Sequence, residues 1–230
     1  MGHFNIIQTK NLAITAAPKT ASTNLVEFFV DRFDNIIETD DDIINMPNII
    51  IVITRNERER WCSGVIQELD PYFPTGKNDH TNYRNKKMVS YILDKEADSL
   101  GQKSIFTSSG FHSHLGTIGY LTCIPELALR DNIYFTDISS LSKRGFWAKI
   151  CELDSTWPNL NEWWNDWNNY RNGIHGPPDL EDNEQNERRV FVSIVEDMLN
   201  NDTRLDFISA ILDDNQETID YFKETDKWIL

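Results

Sequence analysis

The stretch LAITAAPKTASTNLVEFF, residues 12–29, constrains the fold more than any other part of the chain. A short apolar run from Leu12 to Ala16 enters Pro18-Lys19-Thr20-Ala21-Ser22-Thr23-Asn24. Apolar residues then return at helical spacing, at Leu25, Val26, Phe28, Phe29 and Phe33. The pattern predicts a strand, a tight loop and a helix, with one lysine and three hydroxyls at the turn. Such a turn aims backbone N–H groups and a helix N-terminus at the loop's contents, and the favoured guest is an anion. The plain structural reading of the same residues is a helix cap, with Ser22 or Thr23 satisfying first-turn amides.

A second apolar run, NIIIVITR at 48–55, suits a strand buried on both faces. It ends at Arg55 and opens into a helix through Trp61, Val65, Ile66 and Leu69. NIYFTD at 132–137 is a third strand, followed by a helix over 139–153. Further helices are expected over 82–100, 187–200, 203–212 and 215–224, with a short one over 115–127 broken at Pro125. Residues 155–186, rich in Trp, Asn, Pro and acids, read as a long loop. Strands alternating with helices imply a parallel sheet with crossovers. The expected fold is one α/β domain over 1–230, with a P-loop-like parallel sheet flanked by helices in 1–154 and a mainly helical part in 155–230.

Composition removes several function classes. The chain has 230 residues, and no apolar run reaches the roughly 18–20 residues that span a bilayer. Its N-terminal segment lacks a signal-peptide pattern, so the expected location is cytoplasmic with no membrane segment. Cys62, Cys123 and Cys151 are sparse and form no CxxC pair, which disfavours both a disulfide framework and a zinc site. Of the net charge of −15, residues 179–230 carry −10, from 15 acids and 5 bases. Overall acidity disfavours nucleic acid or a polyanionic glycan as partner, but it permits a small anion in a local basic pocket.

The first loop has no glycine and is not a Walker A sequence. It resembles the 5′-phosphosulfate-binding loop of sulfotransferases, usually written P-K-[ST]-G-[ST]-T. Pro18, Lys19, Thr20, Ser22 and Thr23 match, with Ala21 at the usual glycine. Carbohydrate sulfotransferases also write R-D-P-x-E-R-x-x-S at their 3′-phosphate site. Here Arg55-Asn56-Glu57-Arg58-Glu59-Arg60-Trp61-Cys62-Ser63 keeps Arg55, Glu59, Arg60 and Ser63 in register, with Glu57 replacing proline. The same run also reads as a solvated helix face with i,i+3 and i,i+4 ion pairs. Downstream, the layout from His114 to Leu141 and the closing TIDYFKETDKW are similar to segments of the membrane-type members of that family.

The resemblance implies the donor 3′-phosphoadenosine 5′-phosphosulfate (PAPS), no metal, and an acceptor hydroxyl or amine on a carbohydrate or small molecule. It places Lys19 beside the oxygen bridging phosphate and sulfate. Thr20, Ser22, Thr23 and the loop amides, within the segment Pro18–Asn24, would hold the 5′-phosphate, while Arg55 and Ser63 hold the 3′-phosphate. The general base has three kinds of candidate: Glu38, which also reads as part of a solvated acidic turn; His114 with its neighbour His112; and His80. Trp157, Trp163, Trp164 and Trp167 are candidates for stacking on an acceptor or for the core. Two rival readings remain: a P-loop-like kinase using Asp137 as a magnesium ligand, and a catalytically silent nucleotide-binding relative.

Overall fold

The computed structural model describes residues 5–16, 20–39, 49–69, 88–94, 130–175 and 182–229. The expectations for Pro18, Lys19, His80, His112, His114 and the helix over 115–127 lie outside the described residues. Contacts divide the chain into two compact units. One comprises Met1–Gly2, Asn56–Tyr120 and Pro177–Glu217; the other comprises His3–Arg55, Leu121–Gly176 and Thr218–Leu230.

The second unit holds a five-stranded sheet of β1 (Asn5–Gln8), β2 (Leu12–Ala16), β3 (Ile37–Thr39), β4 (Ile49–Thr54) and β5 (Ile133–Asp137). Their order is β3-β1-β2-β4-β5. The apolar runs at β2, β4 and β5 pair in parallel, as their composition predicts. The sheet is nevertheless mixed rather than all parallel, because β1 runs antiparallel to both β2 and β3. Only Thr9, Lys10 and Asn11 separate β1 from β2, a connection far too short for a parallel crossover.

That turn is fixed by chemistry as well as length. The Thr9 amide donates to the Leu12 carbonyl at 2.9 Å, and the Thr9 hydroxyl donates to the Asp154 carboxylate. Asn11 Nδ2 and the amide and hydroxyl of Thr156 also donate to Asp154, at 3.1, 2.9 and 2.7 Å. Burial acting alone would raise the Asp154 pKa. The hydrogen bonds from Thr9, Thr156 and Asn11 outweigh it and hold the carboxyl below its ordinary range.

One sheet face carries an aromatic core. It packs against α1 (Ser22–Phe29), α4 (Arg144–Leu153) and α5 (Leu160–His175). The long loop expected over 155–186 is not found: α5 occupies its centre. Trp163, Trp167 and Tyr170 recur at helical spacing, and the first two are buried beside Phe28 and Phe29. Their indole N–H groups donate to the Pro158 and Leu141 carbonyls at 3.0 and 2.8 Å. Each buried aromatic contributes roughly 1.5–3 kcal/mol, which exceeds the weak helix propensity of the intervening asparagines. Trp157 is buried as well and Trp164 half-buried, so these tryptophans build core. At the other end of the sheet, Phe135 exchanges backbone hydrogen bonds with Lys227 and Ile229, both 2.8 Å, and covers the edge of β5.

The described residues of the first unit are mainly helical. The unit contains α2 (Glu57–Leu69), the described helical residues 88–94 (α3), α6 (Asp182–Asn201) and residues 206–217 of α7 (Asp206–Lys223). Trp61, Val65 and Ile66 of α2 meet Met88 and Ile92 of α3 and Phe191, Val195 and Met198 of α6 in one core. The two helices expected over 203–212 and 215–224 are instead a single helix, α7, preceded by a 3-10 turn at Thr203–Leu205. Its buried stripe, Ile208, Leu212, Asn215 and Ile219, continues through the expected break with a polar residue at Asn215.

Candidate functional site

The C-terminal ends of three adjacent parallel strands converge on one edge of the sheet. Ala16 of β2 is paired with Ile53 of β4, and Thr54 of β4 with Asp137 of β5. Ala16, Arg55 and Asp137 therefore lie at the same edge of the sheet, at the ends of adjacent strands about 4.8 Å apart. Ligands of open α/β sheets bind at this edge.

At the first turn, Thr20 is fully buried and Ala21 adopts φ 66°, ψ 21°. Ala21 is the one non-glycine residue with positive φ among the described residues. A left-handed alanine costs roughly 1–2 kcal/mol, since its Cβ crowds the following carbonyl. The position matches the glycine of the phosphosulfate-loop pattern, and the backbone takes the conformation that glycine would take freely. Ala21 is also the N-cap of α1 and provides no side-chain acceptor, and the first turn of α1 carries no acid. The helix is anchored instead from its core side, by Leu25, Phe28 and Phe29. Thr23 is exposed and Asn24 half-buried.

Arg55, half-buried, closes its segment of the sheet unit just beyond β4. Glu38 stands one residue back from the end of β3, which runs parallel to β2 and ends on the same edge of the sheet. It lies exposed on the edge strand β3, opposite Ile7, which is itself opposite Ile14 of β2. Two strand spacings and two residues of rise put it about 12 Å from the end of β2.

Asp137 occupies the third strand end. Its Oδ1 accepts from the Ser139 amide at 2.8 Å and so caps the 3-10 turn Ile138–Ser142. Cys151, half-buried in the same unit, has its thiol pushed up by burial. Among the described residues no cluster of three His, Cys, Asp or Glu side chains could hold a metal.

In the helical unit, the start of α2 is tied down by its own protein. Asn56 Oδ1 accepts from the Glu59 amide and Gln216 Oε1 from the Glu57 amide, both at 3.0 Å. Arg60 is fully buried and meets Glu57, also buried, through two bonds of 2.7 and 2.6 Å. Glu57 stands where the resembled motif has proline, and it supplies the acceptors for two donors of the buried Arg60. The solvated-face reading holds for Arg58, which grips Asp213 at 2.8 and 2.9 Å and Asn200 at 2.8 Å, and fails for Arg60. The Arg58 hydrogen bond holds Asp213 below the usual carboxylate range. Ser63 is half-buried on α2. Cys62, next to it, has its thiol pushed up to about 12, chiefly by burial, which leaves it unreactive.

The apolar runs place Arg55 just past β4 and Asp137 at the end of β5, whereas the burial of the Glu57–Arg60 pair was not foreseen. A glutamate three residues before an arginine in a first helical turn was the available signal. No protein-family model matches this chain, and no curated protein or solved structure matches it either.

Proposed function

We propose that the chain is a PAPS-dependent sulfotransferase, with its sheet in a P-loop-like arrangement. The sulfuryl group passes to a hydroxyl or amine of a carbohydrate or small-molecule acceptor by in-line displacement. The observation that carries this reading is Ala21, held left-handed where the phosphosulfate loop uses glycine, between a parallel strand's C-terminal end and a helix. A left-handed residue there turns successive amides toward one concavity suited to a phosphate. Thr20, Ser22, Thr23 and those amides hold the 5′-phosphate. Lys19 neutralises the oxygen released as the S–O bond breaks, a stabilisation made in the transition state. Arg55, on the adjacent strand end, grips the 3′-phosphate, a role suited to its fixed fork of donors. The part given to Ser63 rests on its eight-residue spacing from Arg55 in the sequence. Catalysis then consists of positioning and charge stabilisation.

Calorimetry with adenosine 3′,5′-bisphosphate, without magnesium and with AMP as control, tests the reading. Micromolar binding of the bisphosphate, much weaker binding of AMP, and loss of the difference in Arg55→Ala are expected. Equal binding of the two nucleotides contradicts it, and magnesium-dependent phosphoryl transfer from ATP would favour the kinase reading. Lys19→Ala separates an enzyme from a silent binder, because only an enzyme has a rate to lose.

A further inference from the structure

We propose that the helical unit holds a small anion, of the size of chloride, between Arg60 of α2 and Asn215 of α7, an assignment independent of the sulfuryl-transfer reading. Three buried side-chain nitrogens of this unit, Arg60 Nη1, Trp61 Nε1 and Asn215 Nδ2, have no hydrogen-bond partner among the described residues. Arg60 and Trp61 are 0% exposed and Asn215 4%. A buried N–H without an acceptor costs about 1–3 kcal/mol, and native proteins leave few such groups.

Packing brings two of these donors to one level of the unit. The Glu57 amide donates to Gln216 Oε1 at 3.0 Å, and Arg58 Nε and Nη2 donate to Asp213 at 2.8 and 2.9 Å. The first turn of α2 therefore lies against residues 213–216 of α7. Asn215 sits in that stretch, on the buried stripe that continues from Ile208 and Leu212. Arg60 reaches back to the same first turn, where its Nε and Nη2 meet the Glu57 carboxylate at 2.7 and 2.6 Å. That fork uses one edge of the guanidinium, so Nη1 projects from another edge, with the cationic plane between it and Glu57. A negative charge at Nη1 is thus closer to the arginine than to the glutamate.

The chemistry of the three nitrogens selects the guest. Each donates, and none has a lone pair free to accept. A water held by them would find no acceptor among them for its own hydrogens, whereas a halide only accepts. None of the three touches solvent, which favours a compact ion over a nucleotide or a phosphate ester. A monatomic anion can also accept from several directions without being oriented.

The test compares the unaltered chain with Asn215→Leu, which keeps the volume and removes the donor, and with Arg60→Lys, which keeps the charge beside Glu57 and removes Nη1. Each is refolded from urea into mixtures of sodium chloride and sodium gluconate at constant ionic strength and then melted, without any nucleotide. The unaltered chain is expected to gain about 3–5 °C in melting temperature for each tenfold rise in chloride above the dissociation constant. Both variants are expected to lose that response. An unaltered chain indifferent to chloride overturns the assignment, and so does a variant that keeps the full response. The response of the unaltered chain stands as a test even where a variant does not refold. Asn215→Leu melting above the unaltered chain in chloride also overturns it, because replacing a donor that holds nothing is neutral or stabilising.

Discussion

The chain makes two strand-to-helix turns with basic residues, and they are built in opposite ways. After β4 the helix start is held by the protein's own side chains: Asn56 caps α2, Gln216 accepts the Glu57 amide, and Glu57 takes two donors of the buried Arg60, whose Nη1 has no hydrogen-bond partner among the described residues. After β2 the described residues show a different arrangement. Ala21 holds a costly left-handed conformation, and the N-cap supplies no side-chain acceptor. Strain of this kind persists where the surrounding structure enforces it, and it clusters at ligand sites. Two similar sequence patterns thus divide into one helix start held by side chains of the protein and one that begins at a left-handed alanine.

The largest effect should come from breaking the helix start after β4. Arg60→Ala strands a buried carboxylate and should cost about 3–5 kcal/mol, read as a fall in melting temperature. Replacing Glu57 by Leu and Arg60 by Met together should recover most of that loss. If Arg60→Ala melts like the unaltered chain, the pair is not structural.

Arg55→Ala should sharpen the contrast from the other side. We expect a 10–100-fold loss of bisphosphate affinity, about 1.4–2.7 kcal/mol, with melting little changed. A melting loss as large as that of Arg60→Ala would assign Arg55 to folding as well.

Ala21 allows a pair of smaller changes. Ala21→Gly relieves the left-handed strain and should stabilise the chain by up to about 1 kcal/mol with donor binding retained. Ala21→Val, β-branched, should destabilise by about 1–3 kcal/mol and weaken binding. Thermal melts with and without the bisphosphate read both.

The smallest effect concerns pH. Asp154 has its folded pKa below the unfolded value near 3.9, so its contribution is complete above that value and is lost as pH falls through the folded pKa. Asp154→Asn should therefore lower stability at neutral pH and flatten the decline below about pH 4. An unchanged acid limb in urea titrations would show that the Thr9–Asp154 network does not contribute to it.

The parallel core was legible because continuous apolar runs such as IIIVIT have few other uses, and the passage from β2 to α1 was legible in the switch from an apolar run to apolar residues at helical spacing. Other features were not. β1 and β3 are four and three residues long, and only their pairing with neighbours makes them strands. The asparagine-rich α5 is helical because Trp163 and Trp167 find Phe28 and Phe29, partners more than 130 positions away. The Glu57–Arg60 pair is local in sequence, but its burial is set by the helical core around it. The placement of Glu38 was hidden for a similar reason: the acidic run gives no hint that β1 intervenes between β3 and β2.

The contrast between the turns is tested most directly by following backbone amides in a heteronuclear NMR titration with adenosine 3′,5′-bisphosphate. The account predicts the largest shifts at Thr20–Asn24, with the already satisfied amides of Glu57 and Glu59 nearly unmoved. Shifts concentrated at Glu57 and Glu59, or none at Thr20–Asn24 at saturating bisphosphate, would contradict it.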